Sequence, residues 1–203
     1  MHDFTTINIR EYLNNPNDNE IGENALLQIL SDYSCELNSD VERFLKEQSI
    51  EFSKKHQSVT YLVFSNEDAE LLGYFTLTIK PITIKCDNIK SKNLLKKIAR
   101  VSDCREDDDT YSLSAYLIAQ LGKNYANHND KRITGKQLLG LAINQIKDLQ
   151  YLIGGTIMFL EAEKKPGLIN FYKDNGFVEF DTRETTSTIS EQHTLIQLLK
   201  VIK

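Results

Sequence analysis

Hydrophobic positions along this chain change their spacing from segment to segment, and the changes predict its elements. Thr5–Arg10 reads as a strand, followed by a polar turn, Asn14-Asn15-Pro16-Asn17-Asp18-Asn19. Ile21, Ala25, Leu26 and Leu30 recur near helical spacing and predict a helix over Gly22–Asp32. Ser39-Asp40 can cap a second helix that carries Val41, Phe44, Leu45 and Ile50. The period then shortens. Val59–Ser65 and Leu71–Lys80 are rich in β-branched and aromatic residues, and Asn66–Glu70 between them makes the pair a hairpin. Pro81 is expected to end it, with Ile82–Ile84 as a prolongation beyond a bend.

Farther on, Ile89, Leu94, Leu95 and Ile98 lie along one side of a lysine-rich segment, Lys90–Arg100, which reads as a short helix. An acidic loop from Asp103 to Asp109 leads into Tyr111–Leu121, a largely apolar central strand. A polar loop precedes the helix Gly135–Leu149, whose Leu138, Leu139, Leu141, Ala142 and Ile146 form a buried face and which Gly154-Gly155 closes. Thr156–Glu161 is a strand, Pro166–Asp174 a short helix, and Gly176–Phe180 and His193–Val201 are the last strands. The alternation of strand and helix in this half indicates an α/β order.

Length and composition narrow the class. The 203 residues fit a single domain spanning the chain, and 40% hydrophobic residues suffice for a core. No apolar run approaches the roughly 20 residues of a membrane span. Met1-His2-Asp3-Phe4-Thr5 lacks the basic flank and apolar stretch of a signal peptide, so cytoplasmic residence is the expectation. Cys35, Cys86 and Cys104 sit far apart and cannot all pair; with His2, His56, His128 and His193 they form no metal-ligand spacing, and packing or surface roles are expected of each. The net charge of −5 argues against a broad grip on nucleic acid. Between Gly122 and Gly140, however, Lys123, Lys131, Arg132 and Lys136 face only Asp130, and this basic island suggests a small anionic ligand.

The segment Arg132-Ile133-Thr134-Gly135-Lys136-Gln137 joins a strand to an amphipathic helix. The first N–H groups of a helix lack internal partners and carry partial positive charge. A glycine there lets an oxyanion approach, and basic neighbours add attraction. The segment has neither the Walker pattern nor the dinucleotide fingerprint, and by itself it also fits an ordinary capped helix start. A second signal, Phe171-Tyr172-Lys173-Asp174-Asn175-Gly176-Phe177, reads alone as a helix ending at Gly176 with its phenylalanines in the core.

Together the two signals resemble the GNAT acetyltransferases, which show [QR]-x-x-G-x-[GA] at a helix start, then a strand, then a short helix ending F-Y-x-x-x-G-F. The second pattern is met fully; in the first, Gln137 stands where a small residue is usual. The resemblance covers about residues 59–180 and implies the GNAT acyl-CoA N-acyltransferase fold, a central mixed twisted sheet flanked by helices. It implies acetyl-CoA as cosubstrate, held by Arg132, Ile133, Thr134, Gly135, Lys136 and Gln137, and by backbone groups of Leu121, Gly122 and Lys123 along the pantetheine arm. The loop Asn124–Lys131 is longer than the family's. An Asn usual seven positions before the Tyr is Lys165 here, so that contact is not carried over.

The implied reaction moves an acetyl group to a primary amine of a small molecule or protein, with room for a homodimer. Tyr172 is the implied acid beside the leaving sulfur; a packing tyrosine whose hydroxyl caps a backbone group is the alternative. Glu161, Glu163 or an ordered water are candidate bases, and the acidic loop Asp103–Asp109 could draw a cationic amine or be merely solvated. A looser likeness of Tyr61–Lys80 and Ala115–Lys123 points to the family's toxin branch, which acetylates the amino acid on charged tRNA; net charge speaks against it. A catalytically silent CoA-binding or partner-binding module is a third reading.

Overall fold

The computed structural model describes residues 3–13, 22–185 and 194–203. The polar turn Asn14–Asn19, Ile21, His2 and His193 lie outside the described residues. The strands are β1 (Phe4–Asn8), β2 (Val59–Ser65), β3 (Leu71–Lys85), β4 (Cys104–Arg105), β5 (Thr110–Lys123), β6 (Ile157–Glu163), β7 (Val178–Glu184) and β8 (Thr194–Val201). They form a sheet in the order β1-β2-β3-β5-β6-β8-β7, with β4 paired to β5. The helices are α1 (Arg10–Leu13), α2 (Glu23–Ser31), α3 (Ser39–Arg43), α4 (Ser49–Lys54), α5 (Lys92–Ile98), α6 (Gly135–Ile153) and α7 (Pro166–Asp174). The chain divides into two compact units, whose boundaries fall inside β3 after Thr78, inside β5 after Ile118 and inside α6 after Gln145.

In the first unit, β1 pairs antiparallel with β2 and β2 with β3. Ile9, Leu26, Leu30, Leu45, Leu62 and Tyr74 lie at the centre of its core. The cap of α3 is Asn38 and not the expected Ser39: its Oδ1 accepts from the N–H groups of Asp40 (3.0 Å) and Val41 (3.2 Å). The helix predicted through Ile50 does not run evenly. Phe44–Gln48 is a π-helical turn between α3 and α4, a slip that carries Phe44 and Leu45 inward together. Gly122, near the end of β5, is buried; a Cβ there would run into the Tyr33 hydroxyl and Val41, so only glycine fits.

In the second unit, Tyr116–Ile118 of β5 pair parallel with Met158–Leu160 of β6, and β8 pairs antiparallel with both β6 and β7. Pro81 does not end its strand. β3 continues to Lys85, with Pro81 exposed and Ile82 and Ile84 turned inward against Ile89, Leu94 and Ile98. The cysteines are not all apart: Cys86 and Cys104 bring their Sγ atoms to 3.7 Å. Among the described residues no group of acidic, His or Cys side chains could hold a metal, and no helix is long and apolar enough to cross a membrane.

Candidate active site

The helix start that the basic island singled out is built as a capping box. Thr134 Oγ1 accepts from the Gln137 N–H (3.1 Å), while Gln137 Oε1 accepts from the Thr134 N–H (2.9 Å) and its hydroxyl (2.7 Å). Glutamine in place of the usual small residue thus has a structural function. The N–H groups of Gly135 and Lys136 have no partner among the described residues, and Lys136 is exposed. Two aligned donors and one ammonium therefore face outward at the positive end of α6.

Arg132 is engaged elsewhere. Its guanidinium donates to Asp68 Oδ1 (2.9 Å), Ser65 Oγ (2.9 Å) and Asn129 Oδ1 (3.3 Å), and its N–H donates to the Asn129 carbonyl (3.0 Å). The hydrogen bond from Arg132 holds the Asp68 carboxyl at about 2, below the usual carboxylate range. Arg132, expected at the phosphates, is here a brace between the helix start and the β2–β3 turn. Lys123 is likewise occupied, donating to the Asp130 carbonyl (2.7 Å) and lying 5.7 Å from the Tyr125 ring centroid. Ile133 is buried and Leu121 half-buried.

The long loop after β5 is stapled down by Asn124, whose amide donates to the Leu71 carbonyl (2.8 Å) and accepts from the Ser34 N–H (3.0 Å). A cavity of about 610 Å³ beside it is lined by residues including Tyr12, Asp32, Glu70, Asn124, Asn127 and Asn129. Among the described residues none of the side chains on its wall is basic, so that lining offers a phosphate no cation.

In the second unit, α7 shows what each letter of the F-Y-x-x-x-G-F motif does. Pro166 opens the helix, and Gly176, at φ 84°, closes it. The Gly176 N–H bonds the Lys173 carbonyl (2.9 Å) and the Phe177 N–H bonds the Tyr172 carbonyl (3.1 Å), a Schellman closure. Lys200, from β8, donates to the Asn175 carbonyl (2.7 Å). The Tyr172 ring packs edge-on between Phe171 (5.1 Å) and Phe177 (5.9 Å). Its hydroxyl has no hydrogen-bond partner among the described residues, and burial alone pushes the phenol up to about 12. A tyrosine capping a backbone group is not what is seen.

The candidate bases are tied. Glu161 accepts from Arg183 (2.9 Å) and Gln197 (2.7 Å), and Glu163 pairs with Lys165. The acidic loop is exposed and folds back through β4 on β5, with Arg105 3.8 Å from Asp108. Next to it lies a feature that net charge conceals. Residues 88–102 contain Lys90, Lys92, Lys96, Lys97 and Arg100 and no carboxylate. α5 buries Leu94 and Ile98, and among the described residues none of these five cations forms an ion pair.

A mixed sheet flanked by helices, with β5 parallel to β6 and β8 inserted between β6 and β7, defines the GNAT acyl-CoA N-acyltransferase fold. Solved structures that the chain resembles in fold include those of the toxin AtaT and of KacT. AtaT complexed with acetyl-methionyl-tRNAfMet is 16% identical at a TM-score of 0.62, over 96% of this chain and 94% of that one. A tyrosine-to-phenylalanine mutant of AtaT bound to the C-terminus of the antitoxin AtaR and acetyl-CoA is 15% identical at 0.58, over 99% and 94%. A tyrosine-to-phenylalanine mutant of KacT is 16% identical at 0.63, over 99% and 96%. Neither a protein-family model nor a curated protein matches the sequence.

Proposed function

We propose that this chain is an acetyl-CoA-dependent N-acetyltransferase of the toxin type, acting as one catalytic domain on the amino group of an aminoacyl-tRNA. The fold it shares with AtaT and KacT supports the acetyltransferase reading, and AtaT is seen with acetyl-CoA and with an acetylated aminoacyl-tRNA. The observation that carries the acceptor is the row of five cations on and around α5, without ion pairs among the described residues and suited to a phosphate backbone. Net charge misleads here because it averages over the chain, whereas a polyanion meets charge locally.

The helix start fits a pyrophosphate: the free N–H groups of Gly135 and Lys136 would hold it with the Lys136 ammonium, and the Thr134 and Gln137 N–H groups join when the capping box opens. Backbone groups of Leu121, Gly122 and Lys123 would hold the pantetheine arm. Arg132 positions the loop through Asp68. The chemistry supplied by acetyl-CoA, when bound, is an activated acyl thioester with a thiolate leaving group. Tyr172, kept protonated by burial, would be the residue to supply a proton to that leaving thiolate.

The tied carboxylates also favour this acceptor. A lysine amine has a pKa near 10.4 and needs a base, whereas an α-amino group at about 7.7–8.0 is several hundredfold more abundant as free amine at neutral pH. Without an unengaged Glu161, the α-amine remains the workable nucleophile.

The test is transfer of labelled acetyl from acetyl-CoA to charged tRNA, deacylated tRNA, lysine peptides and small amines in parallel. Label on the aminoacyl end of charged tRNA alone is expected. Efficient transfer to peptides or small amines, with none to charged tRNA, would return the reading to a small-molecule or protein acetyltransferase; no transfer at all would leave a silent binding module.

A further inference from the structure

The segment that carries α5 begins and ends at the two thiols that approach one another, and the backbone holds them there. The Cys86 N–H donates to the Asp109 carbonyl (2.9 Å), and Cys104 stands opposite Tyr111 in the β4–β5 ladder. Both residues are therefore tied by the backbone to one hairpin, and their sulfurs stand 3.7 Å apart. Cys104 is exposed and Cys86 partly so, whereas Cys35 is buried.

We propose that Cys86 and Cys104 form a reversible disulfide that closes residues 87–103, and with them α5, into a ring. The oxidant is a low-molecular-weight disulfide such as glutathione disulfide. Cys104, the accessible thiol, loses its proton and attacks one sulfur of the oxidant; a glutathione thiolate leaves and takes up a proton. Cys86 then attacks the Cys104 sulfur of the mixed disulfide, its proton goes to solvent, and the second glutathione leaves as thiolate to be protonated. Two protein thiols are oxidised and one glutathione disulfide is reduced to two glutathiones.

The geometry demands little. A disulfide needs the sulfurs to close from 3.7 Å to roughly 2.05 Å. Partial burial, the neighbouring Cys104 and the carboxylates of Asp109 and Asp87 push the Cys86 thiol up, so it serves better as the second, intramolecular attacker than as the first. Exposed pairs of this kind are the reducible ones in a reducing compartment. The inference stands whatever the acceptor; if the acceptor is tRNA, the ring would fix the helix that meets it.

The experiment equilibrates the full-length protein in buffers of rising glutathione disulfide to glutathione ratio, followed by acid quench and thiol blocking. Titratable thiols in the unfolded protein should fall from three to one, with loss of two hydrogens from the intact mass. Trypsin without reductant should yield peptides 86–90 and 101–105 joined by a disulfide, and dithiothreitol should separate them. Before digestion is complete, oxidised protein should be cut more slowly at Lys92, Lys96 and Lys97 than reduced protein. Cys86→Ser should instead stop at one glutathione on Cys104, and Cys104→Ser should gain neither. A wild-type protein that keeps a stable glutathione on Cys104, or that forms only intermolecular dimers, would overturn the proposal.

Discussion

The Schellman closure of α7 fixes the Tyr172 ring between Phe171 and Phe177 while its hydroxyl stays without a protein partner among the described residues. Loss of that oxygen alone should leave the packing intact. Tyr172→Phe is expected to lower kcat by about 10²–10⁴-fold with the KM for acetyl-CoA nearly unchanged, because the proton is needed only as sulfur departs. Steady-state kinetics decides it, and full activity would assign protonation to solvent. At the other helix, the Gln137 side chain occupies the Thr134 N–H that a phosphate would need. Gln137→Gly should weaken the helix start by about 0.5–2 kcal/mol, read as a lower Tm. Acetyl-CoA affinity by calorimetry should stay within a few fold, since the same substitution frees a donor. A weakening beyond about 1.4 kcal/mol, tenfold, would mean that the amide itself touches the cofactor.

Elements whose boundaries are set by neighbouring residues were legible in the sequence. Pro166 at the first turn and Gly176 in the left-handed region delimit α7 without help from the rest of the chain, and its predicted span is the observed one. Only the unbroken run of β3 through Pro81 escaped, because a proline stops a strand only where its missing N–H is needed, and that depends on a partner strand. The function of Arg132 escaped for a similar reason: Asp68 lies 64 positions away, and no local period announces the pair. Cys86 and Cys104, 18 positions apart, meet only once a hairpin has formed. The lysines of α5 were visible as residues, but their lack of ion pairs is a property of the fold. Charge reversal at Lys92, Lys96 and Arg100 to Glu should abolish acetylation of charged tRNA at physiological salt and leave acetyl-CoA binding unchanged. In wild type, the fall of tRNA affinity with log salt should be steeper than in a variant lacking one cation, by roughly 0.7–0.9 for each phosphate that the variant leaves unneutralised. Equal salt slopes would remove α5 from the RNA surface.

At the scale of the whole molecule, phenols are the groups whose ionisation the fold resists most. Burial pushes Tyr33, Tyr74 and Tyr172 up, Tyr172 to about 12. An unfolded tyrosine loses its proton near 10. Between about 10 and 12 the unfolded chain therefore releases protons that the native chain retains, and stability falls as pH rises, by roughly 3 kcal/mol for Tyr172 alone. Phenolate absorbance followed with circular dichroism should show the exposed phenols ionising first and the buried ones only as structure is lost. Ionisation of all nine tyrosines in one step in a still-folded protein would contradict this. The order β6-β8-β7 acts on another clock. β8 follows β6 and β7 in the chain, yet both pair with it, and its Lys200 bonds the end of α7. While the ribosome is still working, α7 and its tyrosine can exist only beside two strands with open edges. The order of synthesis thus leaves β6 and β7 without the strand that joins them until Thr194–Val201 has emerged.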